Sequence, residues 1–181
     1  EVDGPMQFHK MSEYSPDQVL KWFRTHVHPA TTMQHIAAVT GWVPGAKTSV
    51  VPKGLNGHPI RGDHEIPAHL EFSTMAPDLY ERDMTVSRKP GGGVDVHNDL
   101  LDIPRVPGSL YKGISPALYL RQMRAAHELG IPAIHYFAAW HPAGSLNNST
   151  LLPVINGKPI LYSGGYHWPL IGGDGVLPHH Y

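Results

Sequence analysis

Two groups of residues in this 181-residue chain have the types and spacing that chemistry needs. The first is the run Tyr111-Lys112-Gly113-Ile114-Ser115, directly ahead of Pro116. A serine and a proline at a helix start, preceded by a glycine, gather unpaired backbone N–H groups and the positive end of a helix dipole in one loop, a ready site for a phosphate or another anion. The second group is an alternation of side chains that bind protons or metals, His69-x-Glu71 and Asp95-x-His97-x-Asp99. Alternate residues of a strand share a face, so either set could share a divalent ion, as sites with two histidines and a carboxylate do. His64-Glu65 and His179-His180 add to that reading, although no His-Glu-x-x-His spacing occurs.

The elements that must position these groups follow one another from Val94 to Trp140. Val94 and Val96 alternate with Asp95 and His97, the period of a half-buried strand that runs to Ile103 and ends at Pro104 and Pro107-Gly108. Ser115 is the expected N-cap of a helix closed by Gly130. Within it Leu118, Gln122, Ala125, Ala126 and Leu129 fall at helical spacing, beside Tyr119 and Met123. Ile131 to Trp140 is a mostly apolar run that predicts a strand covered on both faces. Strand, helix and strand of this length form a crossover between parallel strands.

Ahead of this unit, residues 1–14 show no periodicity. Ser15-Pro16-Asp17 starts a helix carrying Val19, Leu20, Trp22, Phe23 and Val27, and His28-Pro29 ends it. A second helix is expected over about 32–40, stopped by Gly41. Strands are expected at 47–51, 68–74 and 83–88, with Lys89-Pro90-Gly91-Gly92-Gly93 as a hairpin link to Val94. Asn156-Gly157 signals a second hairpin. The expected fold is a single α+β domain over residues 1–181, with a mixed, mostly antiparallel central sheet flanked by helices. It divides into a helical N-terminal flank (1–45) and a sheet-containing core (46–175).

Composition narrows the classes of function. With 15 acidic and 14 basic side chains, the chain has no charge excess of the kind that drives nucleic-acid binding. It has no cysteine, hence no disulfides or thiol chemistry. The 19 glycines and 18 prolines beside a 41% hydrophobic fraction imply long ordered loops, not disorder. No apolar run approaches the roughly 20 residues that span a bilayer, and no basic-then-apolar leader opens the chain, so a soluble protein without a membrane partner is expected, its compartment left open. The first residue is Glu1, which suggests a processed chain or a piece of a longer polypeptide with a neighbouring domain.

The order of helices, hairpin, strand, loop, helix and strand, with a Gly-Tyr-rich end, resembles the GNAT N-acetyltransferase superfamily over about residues 80–175. The family's loop pattern, (Arg/Gln)-x-x-Gly-x-(Gly/Ala), meets Lys112, Gly113 and Ser115, with serine in place of the second small residue. Gln122, Ala125, Ala126, Leu129, Gly130 and Ile131 look like the helix and Leu-Gly-(Ile/Val) ending of such domains. Gly165-Tyr166-x-Trp168-Pro169-x-x-Gly172-x-Asp174 resembles a closing motif in which Gly173 replaces an aromatic residue. The resemblance implies transfer of an acyl group from acetyl-coenzyme A, or another acyl-coenzyme A, to a small-molecule or macromolecular amine. Lys112, Gly113, Ile114 and Ser115 would hold the cofactor's pyrophosphate, and its pantetheine arm would lie between the strands starting at Val94 and Ile131. Tyr166 would protonate the leaving thiolate, and His97, Asp99 or Glu71 would serve as base, directly or through water. Other readings stay open: a divalent-metal-dependent enzyme, a non-catalytic module that keeps the fold and presents Tyr162, Tyr166 and Trp168, or a toxin or effector domain cut from a longer secreted protein.

Overall fold

The structure is a computed structural model that describes residues 5–60, 65–77, 80–102 and 114–136, together with the backbone of 154–155 and 158–159. The chain divides into two compact units, Glu1–Tyr136 and Phe137–Tyr181.

The first unit opens with helix α1, Pro16–His26, whose start is closed by a reciprocal capping box. Gln18 N donates to Ser15 Oγ at 3.2 Å, and Ser15 N donates to Gln18 Oε1 at 2.8 Å. Helix α2, Met33–Thr40, has the same box from Thr32 and His35 and ends at Gly41 in the left-handed region, φ 77°. Four strands follow, β1 (Lys47–Lys53), β2 (His69–Met75), β3 (Glu81–Arg88) and β4 (Val94–Asp102), then helix α3 (Ser115–Glu128) and strand β5 (Ile134–Tyr136). They build one five-stranded sheet in sequence order, antiparallel from β1 to β4, with β5 parallel to β4. The described residues are therefore α+β with a mixed, mostly antiparallel sheet, and the parallel pair is joined through α3 as the spacing predicts.

Burial alternates along β1, β2 and β3. Val50, Leu70, Phe72, Met84, Val86, Val94 and Val96 point into one core, which they share with Val19, Trp22 and Phe23 of α1, Ile36, Ala38 and Val39 of α2, and Ala125 and Ala126 of α3. The first two helices thus belong to the same core as the sheet. A second cluster gathers Trp42, Val43, Ala46, Ala76, Tyr80 and Leu118 beyond the end of α2. Residues 5–14, without periodicity, are held by the edge of β1: His9 N donates to Thr48 O at 2.9 Å and Thr48 N to Gln7 O at 3.1 Å. That covers part of an edge which would otherwise offer bare backbone groups.

Two local expectations differ. Ser115 is not the cap of α3 but its first residue; Ile114 stands at the cap in right-handed helical conformation, with no side-chain hydrogen bond to the helix start. Ile131-Pro132-Ala133 is the connection from Gly130 and not the beginning of β5, since Pro132 has no N–H for a ladder; residues 137–140 lie outside the described ones. In the second unit, β6 (Val154–Ile155) and β7 (Lys158–Pro159) pair antiparallel on either side of Asn156-Gly157, the expected hairpin.

Candidate functional site

With the three described helices sharing the core on one side of the sheet, the alternate residues of β2, β3 and β4 form an opposite face that is polar apart from Met75 at the end of β2 and Leu100 beyond the bulge. Register sets Glu71, Thr85, His97 and His135 in one row across it, and His69, Ser87 and Asp95 in the next. The hairpin link at Gly91-Gly92-Gly93 fixes this register: all three have positive φ, a conformation that side chains with a Cβ disfavour.

Between β3 and β4 the register slips by one residue. Asp83 pairs with Leu100 and Met84 with Asn98, so Asp99 is the extra residue of a β-bulge. A bulge re-aims a side chain and reverses the inward–outward phase beyond it. Leu101 accordingly packs against the second cluster while Leu100 is exposed. The bulge also turns Asp99 onto His97: their Oδ1 and Nδ1 atoms lie 2.8 Å apart, and Thr85 Oγ1 donates to Asp99 Oδ2 at 2.8 Å. The pair is open to solvent, with side chains 47% and 42% exposed. An imidazole whose Nδ1–H is held by a carboxylate presents Nε2 as a proton acceptor, with the carboxylate stabilising the cation formed.

Of the base candidates, the structure therefore brings His97 and Asp99 together and sets Glu71 apart. Glu71 lies two strands from His97, about 10 Å at ordinary strand spacing, and pairs with Lys53 Nζ at 2.5 Å. His69 Nδ1 is 2.8 Å from Ser87 Oγ, and Asp95 lies 3.5 Å from Lys89 and 3.6 Å from His135. The alternating side chains are thus engaged with neighbours across the strands, and among the described residues no three His, Asp or Glu side chains converge as a metal site. Ile114 and Ser115 stand at the start of α3, to which the cap residue Ile114 makes no side-chain hydrogen bond. Lys112, Gly113 and Tyr166 lie outside the described residues.

Sequence reasoning missed Asp83, on the same face beside the bulge. Its Oδ1 is buried with no hydrogen-bond partner among the described residues. Burial holds its carboxyl above the ordinary value of 3.8; a hydrogen bond with Ser73 opposes this, and the charge of Asp99 adds to it. A carboxyl whose pKa rises on folding holds more protons in the folded state. Its contribution to stability is fully present below the unfolded-state value and is lost as pH rises through the folded one. Asp83→Asn should therefore raise the unfolding midpoint at neutral pH, and the gain should shrink as pH falls toward 3.8. Thermal unfolding at a series of pH values measures this, and a gain independent of pH would contradict it.

Beneath the bulge, on the helix side, lies a buried polar chain that ties β3, β4, α3 and α2 together. Arg82 Nη2 donates to Asn98 Oδ1 at 3.1 Å, Asn98 Nδ2 to Gln122 Oε1 at 2.9 Å, and Gln122 Nε2 to Val39 O at 2.9 Å and back to Asn98 Oδ1 at 2.8 Å. Arg121 Nη2 donates to Ala37 O at 2.9 Å and to Trp42 O, and Tyr80 Oη to Gly41 O at 2.9 Å. The last carbonyls of α2 are satisfied by these side chains. The signal for Arg82 was present in the period of two, which places it inward with Met84 and Val86. Comparison with family models, with curated proteins and with solved structures gives no match for this chain.

Proposed function

We propose that this chain is an acyl-coenzyme A-dependent N-acyltransferase of the GNAT kind, with His97 as the general base. The observation that carries the reading is the His97–Asp99 pair, held at a bulge of β4, which pairs parallel to β5 with α3 between them in sequence. An antiparallel meander leading into that parallel pair is the strand order the family resemblance implies. His97 Nε2 takes a proton from the acceptor amine, whose nitrogen bonds to the acyl carbon as the carbon–sulfur bond breaks. Asp99 keeps the imidazole oriented and offsets its positive charge, and Thr85 fixes Asp99. Lys112, Gly113, Ile114 and Ser115 are the residues that the resemblance gives to the pyrophosphate, at a helix start whose dipole favours an anion. The resemblance gives Tyr166 the role of returning a proton to the thiolate. Glu71 is held in its ion pair with Lys53, two strands from His97.

The test is thiol release from acetyl-coenzyme A with a panel of primary amines. The reading expects release that requires an amine and saturates in both substrates. No amine-dependent release across small amines, polyamines and lysine-containing peptides would contradict it.

A further inference from the structure

Toward the β1 edge, the outer face of the sheet holds a cleft of about 490 Å³. Its floor is set by the β1–β2 register: Lys47 pairs with Met75 and Ser49 with Ser73, two cross-strand pairs on one face. Beneath them the inward pair Thr48 and Thr74 is joined Oγ1 to Oγ1 at 2.8 Å, which anchors the floor. One wall is the segment that runs along β1 and brings His9 and Met11 to the cleft. It is pinned on both sides of Met11. His9 N donates to Thr48 O at 2.9 Å, Glu13 N to Val50 O at 3.0 Å, and Val50 N to Ser12 Oγ at 2.9 Å. Met11 and Met75, 73% and 47% exposed, therefore present two thioethers to the same space.

The polar groups around this space include several donors. Lys47 brings an ammonium group and Ser49 a hydroxyl. Met11 N donates to His9 Nδ1 at 3.1 Å, so the neutral ring carries its hydrogen on Nε2 and donates from there. Among the described residues no carboxylate lines the cleft; Glu81 and Asp83 stand one strand away, on β3 opposite Met75 and Ser73. Donors beside apolar side chains in a cleft of this size fit one small organic anion with a hydrocarbon body. A single ammonium group matches a carboxylate better than a doubly charged group. The two methionines favour a flat ring, because thioether sulfur packs well against aromatic edges and the unbranched side chains adapt to it.

We infer that this cleft binds a small aromatic carboxylate, with the carboxylate on Lys47 and the ring between Met11 and Met75. The site is separate from the acyltransferase reading, which puts the cofactor at β4 and β5 and the base at His97.

The experiment is isothermal titration calorimetry of the whole chain with 2-naphthoate, 2-naphthylmethanol and 2-naphthylmethylamine, which share a ring system and differ in charge. Naphthoate should bind saturably. The alcohol should bind about tenfold or more weakly, the usual worth of a charge-assisted hydrogen bond, and the amine not measurably. Lys47→Gln should bring naphthoate down to the level of the alcohol, and Met11→Glu, which sets a negative charge at the wall, should abolish its binding. Both side chains are exposed, so the variants should melt with the unaltered chain; should one of them unfold, the other alone decides. No saturable binding of naphthoate, equal binding of the amine, or an affinity that either folded variant leaves unchanged would overturn the site. So would displacement of naphthoate by coenzyme A, or its loss in His97→Ala, since either would place the ligand at the acyl-transfer site instead.

Discussion

Replacing His97 by alanine should lower the rate of amine acetylation by about 100- to 10,000-fold, the usual worth of a positioned general base. The unfolding midpoint should barely move. The side chain is 47% exposed and its one described hydrogen bond is to Asp99, itself 42% exposed; exposed substitutions of this kind usually stay within about 0.5 kcal/mol. Asp99→Asn separates orientation from charge. An amide oxygen still accepts from Nδ1–H and holds the ring, but no longer offsets the imidazolium, so a smaller loss is expected than for His97→Ala. Glu71→Gln, two strands away and tied to Lys53, should leave the rate close to that of the unaltered chain. Steady-state kinetics with thiol detection, alongside circular dichroism melts, reads all three. A Glu71→Gln loss as large as that of His97→Ala would move the base along the row.

Gly41→Val should destabilise the fold strongly, by about 2–5 kcal/mol, because two effects combine. Gly41 has φ 77°, a conformation that costs a residue with a Cβ about 1–2 kcal/mol. The new Cβ would also lie 2.4 Å from Arg82 Cδ, and overpacking of a core typically costs about 1–3 kcal/mol. Arg82 cannot give way cheaply, because its guanidinium is tied to Asn98 and lies over Tyr119. Gly45→Ala is the matched control: its φ is 89°, and nothing lies within 4 Å of the place its new methyl group would take, so it should cost only the backbone strain. Denaturant unfolding of the two variants separates strain from crowding, and equal losses would show that Arg82 does yield.

The crossover from β4 through α3 to β5 was legible because its signals are local: alternation from Val94, helical spacing from Leu118 to Leu129, and Gly130 as the stop. The α2 boundary at Gly41 was legible for the same reason, since a left-handed end asks for glycine. The bulge at Asp99 was not, because one extra residue in a strand leaves no mark on composition, and Leu100-Leu101 reads equally well with either residue inward. The fate of Glu71 was hidden for a different reason. Its partner Lys53 is set by the β1–β2 register, which joins residues far apart in sequence. The cap of α3 was not legible either, since Ser115-Pro116 has the residue types of a cap, yet Ile114 already takes helical dihedrals. Gln122 was placed correctly on the inner face of its helix, but its partners Asn98 and Val39 come from other elements and only the assembled fold shows them. Lys112, Gly113 and Tyr166 rest on the resemblance alone.

The measurement that bears most directly on acyl transfer is a thermal-unfolding titration with coenzyme A and acetyl-coenzyme A, since a ligand that binds the folded state alone must raise the midpoint by mass action. At about one hundred times the dissociation constant the gain is about 2.7 kcal/mol, or roughly 5–10 °C for a chain of this size. A saturable rise with both ligands, abolished by Gly113→Trp, is expected. No rise with either ligand, or one that Gly113→Trp leaves untouched, would contradict it.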